Sequence, residues 1–95
     1  MNLASKAIEI DPEIPNFHCN RGLIKINMAD GDGAMLDMSR TLELDENFAD
    51  ALRYRGIIFA QGGNIAGACD DWKKASFLGD TQSTNHLQAH SDACD

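Results

Sequence analysis

Apolar positions recur at helical spacing along almost the whole chain, and the residues that break helices fall between those runs. Leu3, Ala7, Ile8 and Ile10 share one side of a short helix over residues 2 to 10, which Pro12 ends. Pro15 suits the first turn of the next helix, where its missing N–H costs nothing, and Phe17, Ile24 and Met28 carry that helix to about Ala29. Asp30-Gly31-Asp32-Gly33 reads as a turn, with glycine supplying positive φ and aspartate capping the helix that follows. That helix covers residues 33 to 44, with Ala34, Met35, Met38, Leu42 and Leu44 inward, and Asp45-Glu46-Asn47 closes it. A helix over residues 49 to 61 places Ala51, Ile58 and Phe59 inward, and Gly62-Gly63-Asn64 turns the chain. The following helix, residues 65 to 78, buries Ile65, Ala68, Cys69, Trp72, Ala75 and Leu78 before Gly79-Asp80 ends it. The polar remainder predicts a final helix over about residues 82 to 92, laying Leu87 and Ala89 over the preceding hairpin.

The pattern repeats. Thirty-four residues separate Arg21-Gly22 from Arg55-Gly56, and at the same offset Ala34 returns as Ala68, Asp37 as Asp71 and Leu44 as Leu78. The segment Lys6 to Asp11 is a partial earlier copy of Arg40 to Asp45. Self-similarity at this period predicts stacked helical hairpins, each of which needs only its neighbours to bury an apolar face. Gly22 and Gly56 then permit close approach of paired helices, Ala34 and Ala68 face them, and Met38 and Trp72 fill the space between adjacent hairpins.

These residues resemble the tetratricopeptide repeat. Leu52, Arg55-Gly56, Phe59, Ala68, Trp72, Ala75 and Asp80 match its signature, and His18, Arg21-Gly22, Lys25, Ala34, Met38, Thr41 and Glu46 occupy the same places one period earlier. His18 and Lys25 stand where bulky apolar residues are usual, and Glu46 and Asp80 replace prolines. The stems of Arg21 and Arg55 are expected to pack along the hairpin with the guanidinium reaching a carboxylate such as Asp30 or Asp45. The resemblance implies an all-α, right-handed α-solenoid of antiparallel hairpins. Residues 1–14 are the second helix of a partial repeat, 15–48 and 49–80 are full repeats, and 81–95 form a capping helix and tail. It also implies a concave groove for a protein or peptide partner, lined by Asn16, Cys19, Asn20, Leu23 and Asn27 from one repeat and Asp50, Arg53, Tyr54, Ile57 and Gln61 from the next. The cationic clamp that one subclass uses for chaperone tails is missing, because its places hold Cys19, Leu23, Tyr54 and Asp50.

Composition narrows the function. Among 95 residues, fifteen acidic side chains against eight basic ones give a net charge of −7, which opposes binding to a phosphate backbone. No run of about 18 apolar residues suggests a membrane span, and no basic region followed by an apolar core suggests a signal peptide. The chain begins inside a repeat, as a segment of a longer protein would, and the incomplete N-terminal hairpin leaves Leu3, Ala7 and Ile10 short of neighbours, which predicts dimerisation or helix exchange. Cys19, Cys69 and Cys94 admit two readings: buried small hydrophobes, or a Cys69–Cys94 disulfide with Cys19 outside the pair. His86, His90 and Cys94 follow one another at four-residue steps, a spacing that would put three zinc ligands on one helical face, against the plainer reading of exposed polar residues. Asp30-Gly31-Asp32-Gly33 opens like a calcium loop, but Thr41 stands where a bidentate Glu is required, so a turn with a helix cap is the better reading. His18 and Cys19 are adjacent and so point about 100° apart on a helix, and neither a phosphate-binding glycine loop nor a serine elbow is present. The sequence therefore predicts a non-catalytic binding module without cofactor, with a structural or self-associating segment as the alternative.

Overall fold

The computed structural model describes residues 14–94, in six helices with no strand among them. These are α1 (Pro15–Asn27), α2 (Gly31–Leu44), α3 (Ala49–Gln61), α4 (Ile65–Phe77), α5 (Thr81–Ala89) and α6 (Ser91–Cys94). The short helix expected over residues 2 to 10, and the self-association expected from it, lie outside the described residues. The chain divides into two compact units, Met1–Glu46 and Asn47–Asp95. The first contains the α1–α2 hairpin and the second the α3–α4 hairpin with α5 and α6.

In the first unit, Ile14 is extended, as the residue before a proline must be, and Pro15 opens α1. The buried side of α1 is His18, Cys19 and Gly22, not the expected stripe of Phe17, Ile24 and Met28. Phe17 and Ile24 are half-buried, and Met28, at the point where the helix unwinds, is 70% exposed. Across the hairpin, Ala34, Asp37, Met38, Thr41 and Leu42 are buried. Thr41 donates its hydroxyl to the Asp37 carbonyl at 2.8 Å, satisfying a polar side chain that has no access to solvent. A Cβ added at Gly22 would meet Met38 Cε at 2.8 Å and Asp37 Cβ at 3.2 Å, which confirms close approach within the hairpin.

The turn between α1 and α2 departs from expectation. Asp30 caps α2, accepting from the Gly33 N–H at 3.0 Å, but α2 already begins at Gly31, so both glycines lie inside the helix. The left-handed residue is Ala29, with φ of 61°. One period later Gly63 takes the same conformation at φ 88°, and Asn64 caps α4 through the Gly67 N–H at 2.9 Å. Gly79, at φ 99°, and Asp80, which accepts from the Ser83 N–H at 3.1 Å, build the same turn before α5. Each pairs a left-handed residue with a side-chain N-cap, so one helix ends and the next starts within three residues.

In the second unit, Ala51, Leu52, Arg53 and Gly56 of α3 pack on Ala68, Cys69, Asp71, Trp72 and Ala75 of α4. Trp72 is 1% exposed and its indole N–H donates to the Arg53 carbonyl at 3.3 Å. A Cβ at Gly56 would lie 2.5 Å from Trp72 Nε1 and 2.8 Å from Cδ1. Trp72 thus fills the inside of its own hairpin as well as the gap to the cap, where His86 and His90 stack on it with centroids 4.8 and 5.2 Å away. Leu87 packs on the cluster of Ala68, Cys69, Trp72 and Cys94, as expected, whereas Ala89 is exposed. Leu78 is also more open than expected, at 39% exposure, because α4 has already ended at Phe77.

The cap is not one continuous helix. It breaks at His90, whose φ of −116° and ψ of 31° are not helical, and resumes as α6. The break lets Cys94 reach back to α4, where it forms a disulfide with Cys69. Of the two readings of the cysteines, the disulfide is the one the structure adopts.

Candidate partner-binding face

Two stripes of side chains, one on α1 and one on α3, occupy equivalent positions thirty-four residues apart. Asn16, Asn20, Leu23 and Asn27 on α1 correspond to Asp50, Tyr54, Ile57 and Gln61 on α3. Spacings of three and four residues hold each set on one side of its helix. Their environments match at three of the four positions: Asn16 and Asn27 are exposed with Leu23 half-buried, as Asp50 and Gln61 are exposed with Ile57 half-buried, whereas Asn20 is exposed and its equivalent Tyr54 is half-buried. The amides are therefore free of core packing and open to solvent, and each carries both donor and acceptor groups.

The remaining positions of the expected groove behave differently. Cys19 is buried at 4% exposure and Arg53 at 6%. The Arg53 guanidinium donates to Asp80 at 2.7 Å, lies 3.3 Å from Asp50, and sits 4.8 Å above the Tyr54 ring. Burial works against the Arg53 charge, but Tyr54 and Asp80 outweigh it and raise the guanidinium above its ordinary pKa. Burial likewise opposes ionisation of Asp80, yet hydrogen bonds from Ser83 and Arg53 hold its carboxyl below the usual range. Arg53 is thus already committed to its own unit, and the aromatic ring beside it is held in place.

Two further ion networks lie across the hairpins. Arg21 meets Asp37 at 2.7 Å with Lys25 adding a contact at 3.0 Å, and Arg55 meets Asp71 at 2.7 and 2.8 Å. The arginines thus choose Asp37 and Asp71 rather than Asp30 or Asp45, because those acids, sixteen positions further along the chain, face them across the hairpin. Burial pushes the Asp37 carboxyl up, but hydrogen bonds from Arg21 and Lys25 win and lower it. The hydrogen bond to Asp71 raises Arg55, which also lies 5.7 Å from the Phe59 ring. The sequence held the signal for both pairs, since Arg and Asp recur together at the period. The same network explains Lys25 at a place where an apolar residue is usual: its ammonium has a buried carboxylate to meet.

The zinc arrangement of His86, His90 and Cys94 does not form. Cys94 is spent on the disulfide, the helix breaks at His90, and both imidazoles lie against Trp72. Among the described residues no group of three His, Cys, Asp or Glu is placed to hold a metal. No described helix is long and apolar enough to cross a membrane.

No family model matches the sequence. Among solved structures, the chain is similar to the first TPR of Spaghetti (RPAP3) bound to the HSP90 peptide SRMEEVD, with a TM-score of 0.87 and 22% sequence identity over 95% of this chain and 73% of that one. With six helices, capped turns and close-approach glycines in register, this likeness establishes the all-α tetratricopeptide-repeat fold of antiparallel helical hairpins.

Proposed function

We propose that the chain is a non-catalytic repeat module that binds an extended peptide or protein segment. Each repeat offers its own contact stripe: Asn16, Asn20, Leu23 and Asn27 in residues 15–48, and Asp50, Tyr54, Ile57 and Gln61 in residues 49–80. The observation that carries this reading is the recurrence of the two stripes at the repeat period, each with exposed polar side chains at both ends, Asn16 and Asn27 in one and Asp50 and Gln61 in the other, and a half-buried apolar residue between, Leu23 or Ile57. Amides bond a peptide main chain whatever its sequence, and a half-buried Tyr beside a fixed Arg is a low-entropy anchor. The similar domain that holds SRMEEVD supports the class of ligand. Its acidic character does not carry over, because here Cys19, Leu23, Tyr54 and Asp50 stand at the clamp positions and Arg53 is neutralised.

The test is a random-peptide array probed with the parent and with Tyr54→Ala and Asn20→Ala. Loss of about tenfold or more in affinity for captured peptides is expected for Tyr54→Ala. A parent protein that captures no peptide refutes the reading. Arg53→Glu is the poorer probe, because it would bury a third carboxylate beside Asp50 and Asp80 and disturb the fold itself.

A further inference from the structure

Three charged groups meet at the start of α3, and their charges do not balance. Arg53 supplies one positive charge, with its side chain 7% exposed; Asp80 and Asp50 supply two negative ones. Asp80 has the shorter contact, 2.7 Å against 3.3 Å, is only 13% exposed, and also accepts from the Ser83 N–H and hydroxyl. The guanidinium is therefore largely matched by Asp80. The surplus charge falls on Asp50, whose side chain is 61% exposed in the first turn of α3. Four residues on, and so on the same side of the helix, stands the Tyr54 ring. Among the eight proposed contact residues Asp50 is the only one that carries a charge.

Resting on the binding-module reading above, we propose that Asp50 and Tyr54 form a subsite for a lysine or arginine side chain of the bound segment, so that the partner is a basic rather than an acidic peptide. The incoming cation neutralises the surplus carboxylate and lays its alkyl stem along the tyrosine ring. An acidic side chain arriving at the same place would meet Asp50 with no free cation to offset it, since Arg53 is recessed and already paired. The subsite thus selects by charge within a face whose other contacts are indifferent to sequence.

The experiment uses a random-peptide array followed by polarisation titrations with fluorescein-labelled captured peptides, each made also with Glu in place of every Lys and Arg. Parent protein is compared with Asp50→Asn and with Asp70→Asn, which removes another exposed acid, from α4, and so controls for the overall negative charge. Captured peptides enriched in Lys and Arg, with affinity falling roughly two- to fivefold in Asp50→Asn but not in Asp70→Asn, are expected. Glu-substituted peptides that bind as well as their basic parents, or equal effects of the two substitutions, overturn the subsite while leaving the binding-module reading standing. Capture of no peptide by the parent overturns both. Asp50 is exposed and makes the longer of the two contacts to Arg53, which Asp80 still pairs in the variant, so circular dichroism of Asp50→Asn should match the parent.

Discussion

Gly22 and Gly56 are equivalent in the repeat but face different neighbours, and the difference has measurable consequences. An added Cβ at Gly56 meets the Trp72 indole, a rigid ring at 1% exposure whose N–H is tied to the Arg53 carbonyl. At Gly22 the nearest atom is the terminal methyl of Met38, which can rotate away. Gly56→Leu should therefore cost about 3 kcal/mol of stability. Gly22→Ala should be close to neutral, since the helix gains about 1 kcal/mol from replacing glycine. Urea denaturation checks both, and a Gly56→Leu midpoint equal to the parent's would refute the contact. Ala29 is the opposite case: a residue with a side chain sits where the repeat elsewhere uses Gly63. Left-handed backbone costs a non-glycine residue about 1 kcal/mol, so Ala29→Gly should raise stability by about that amount in the same assay. The close-approach glycines were legible because they recur; the strain at Ala29 was not, because the sequence offers Gly31 and Gly33 nearby and composition alone does not say which position takes the positive φ.

At the scale of elements, the cap depends on a covalent link. The Cys69–Cys94 bond closes a stretch of 25 residues that includes all of α5, and removing it frees that stretch in the unfolded chain. Cys94→Ser, or reduction by a small dithiol, should cost about 3 kcal/mol. It should also alter Trp72 fluorescence, since His86 and His90 are held against the indole by the returning tail. Guanidinium melts with the Trp72 signal read both effects, and oxidised and reduced protein with the same midpoint would exclude a stabilising role. The final helix was legible from Thr81 onward, but not its break, because a helix ends at His90 for reasons that lie on α4.

Across the whole molecule, charge sets the response to pH. Asp37 and Asp80 are held below the ordinary carboxylate range, and burial, followed by the charge of Arg53, lowers His86. In each case the folded state gives up its proton more readily than the unfolded chain, so the unfolded chain binds more protons on acidification and stability falls. The loss should begin below about pH 6.5, as His86 protonates in the unfolded state, and deepen below about pH 4 as the carboxylates follow. Urea titrations across this range should show two stages, and His86→Gln should remove the first; a flat profile from neutrality to about pH 5 would contradict the placement of His86. The order of the helices from Pro15 to Ala89 and the places where the chain turns between them were readable from the chain, because each follows from local periodicity and from residues whose backbone preferences act within a few positions; the residue that takes positive φ in the first turn and the break at His90 were not. The recurrence of Arg21 with Asp37 and of Arg55 with Asp71 marked those residues, but that they pair, that Arg53 pairs with Asp80, and which of two fates Cys94 takes were decided only by folding. Those partners lie sixteen to 27 residues apart, and at such separations a charge or a thiol finds its mate through the packing of helices, which no local pattern encodes.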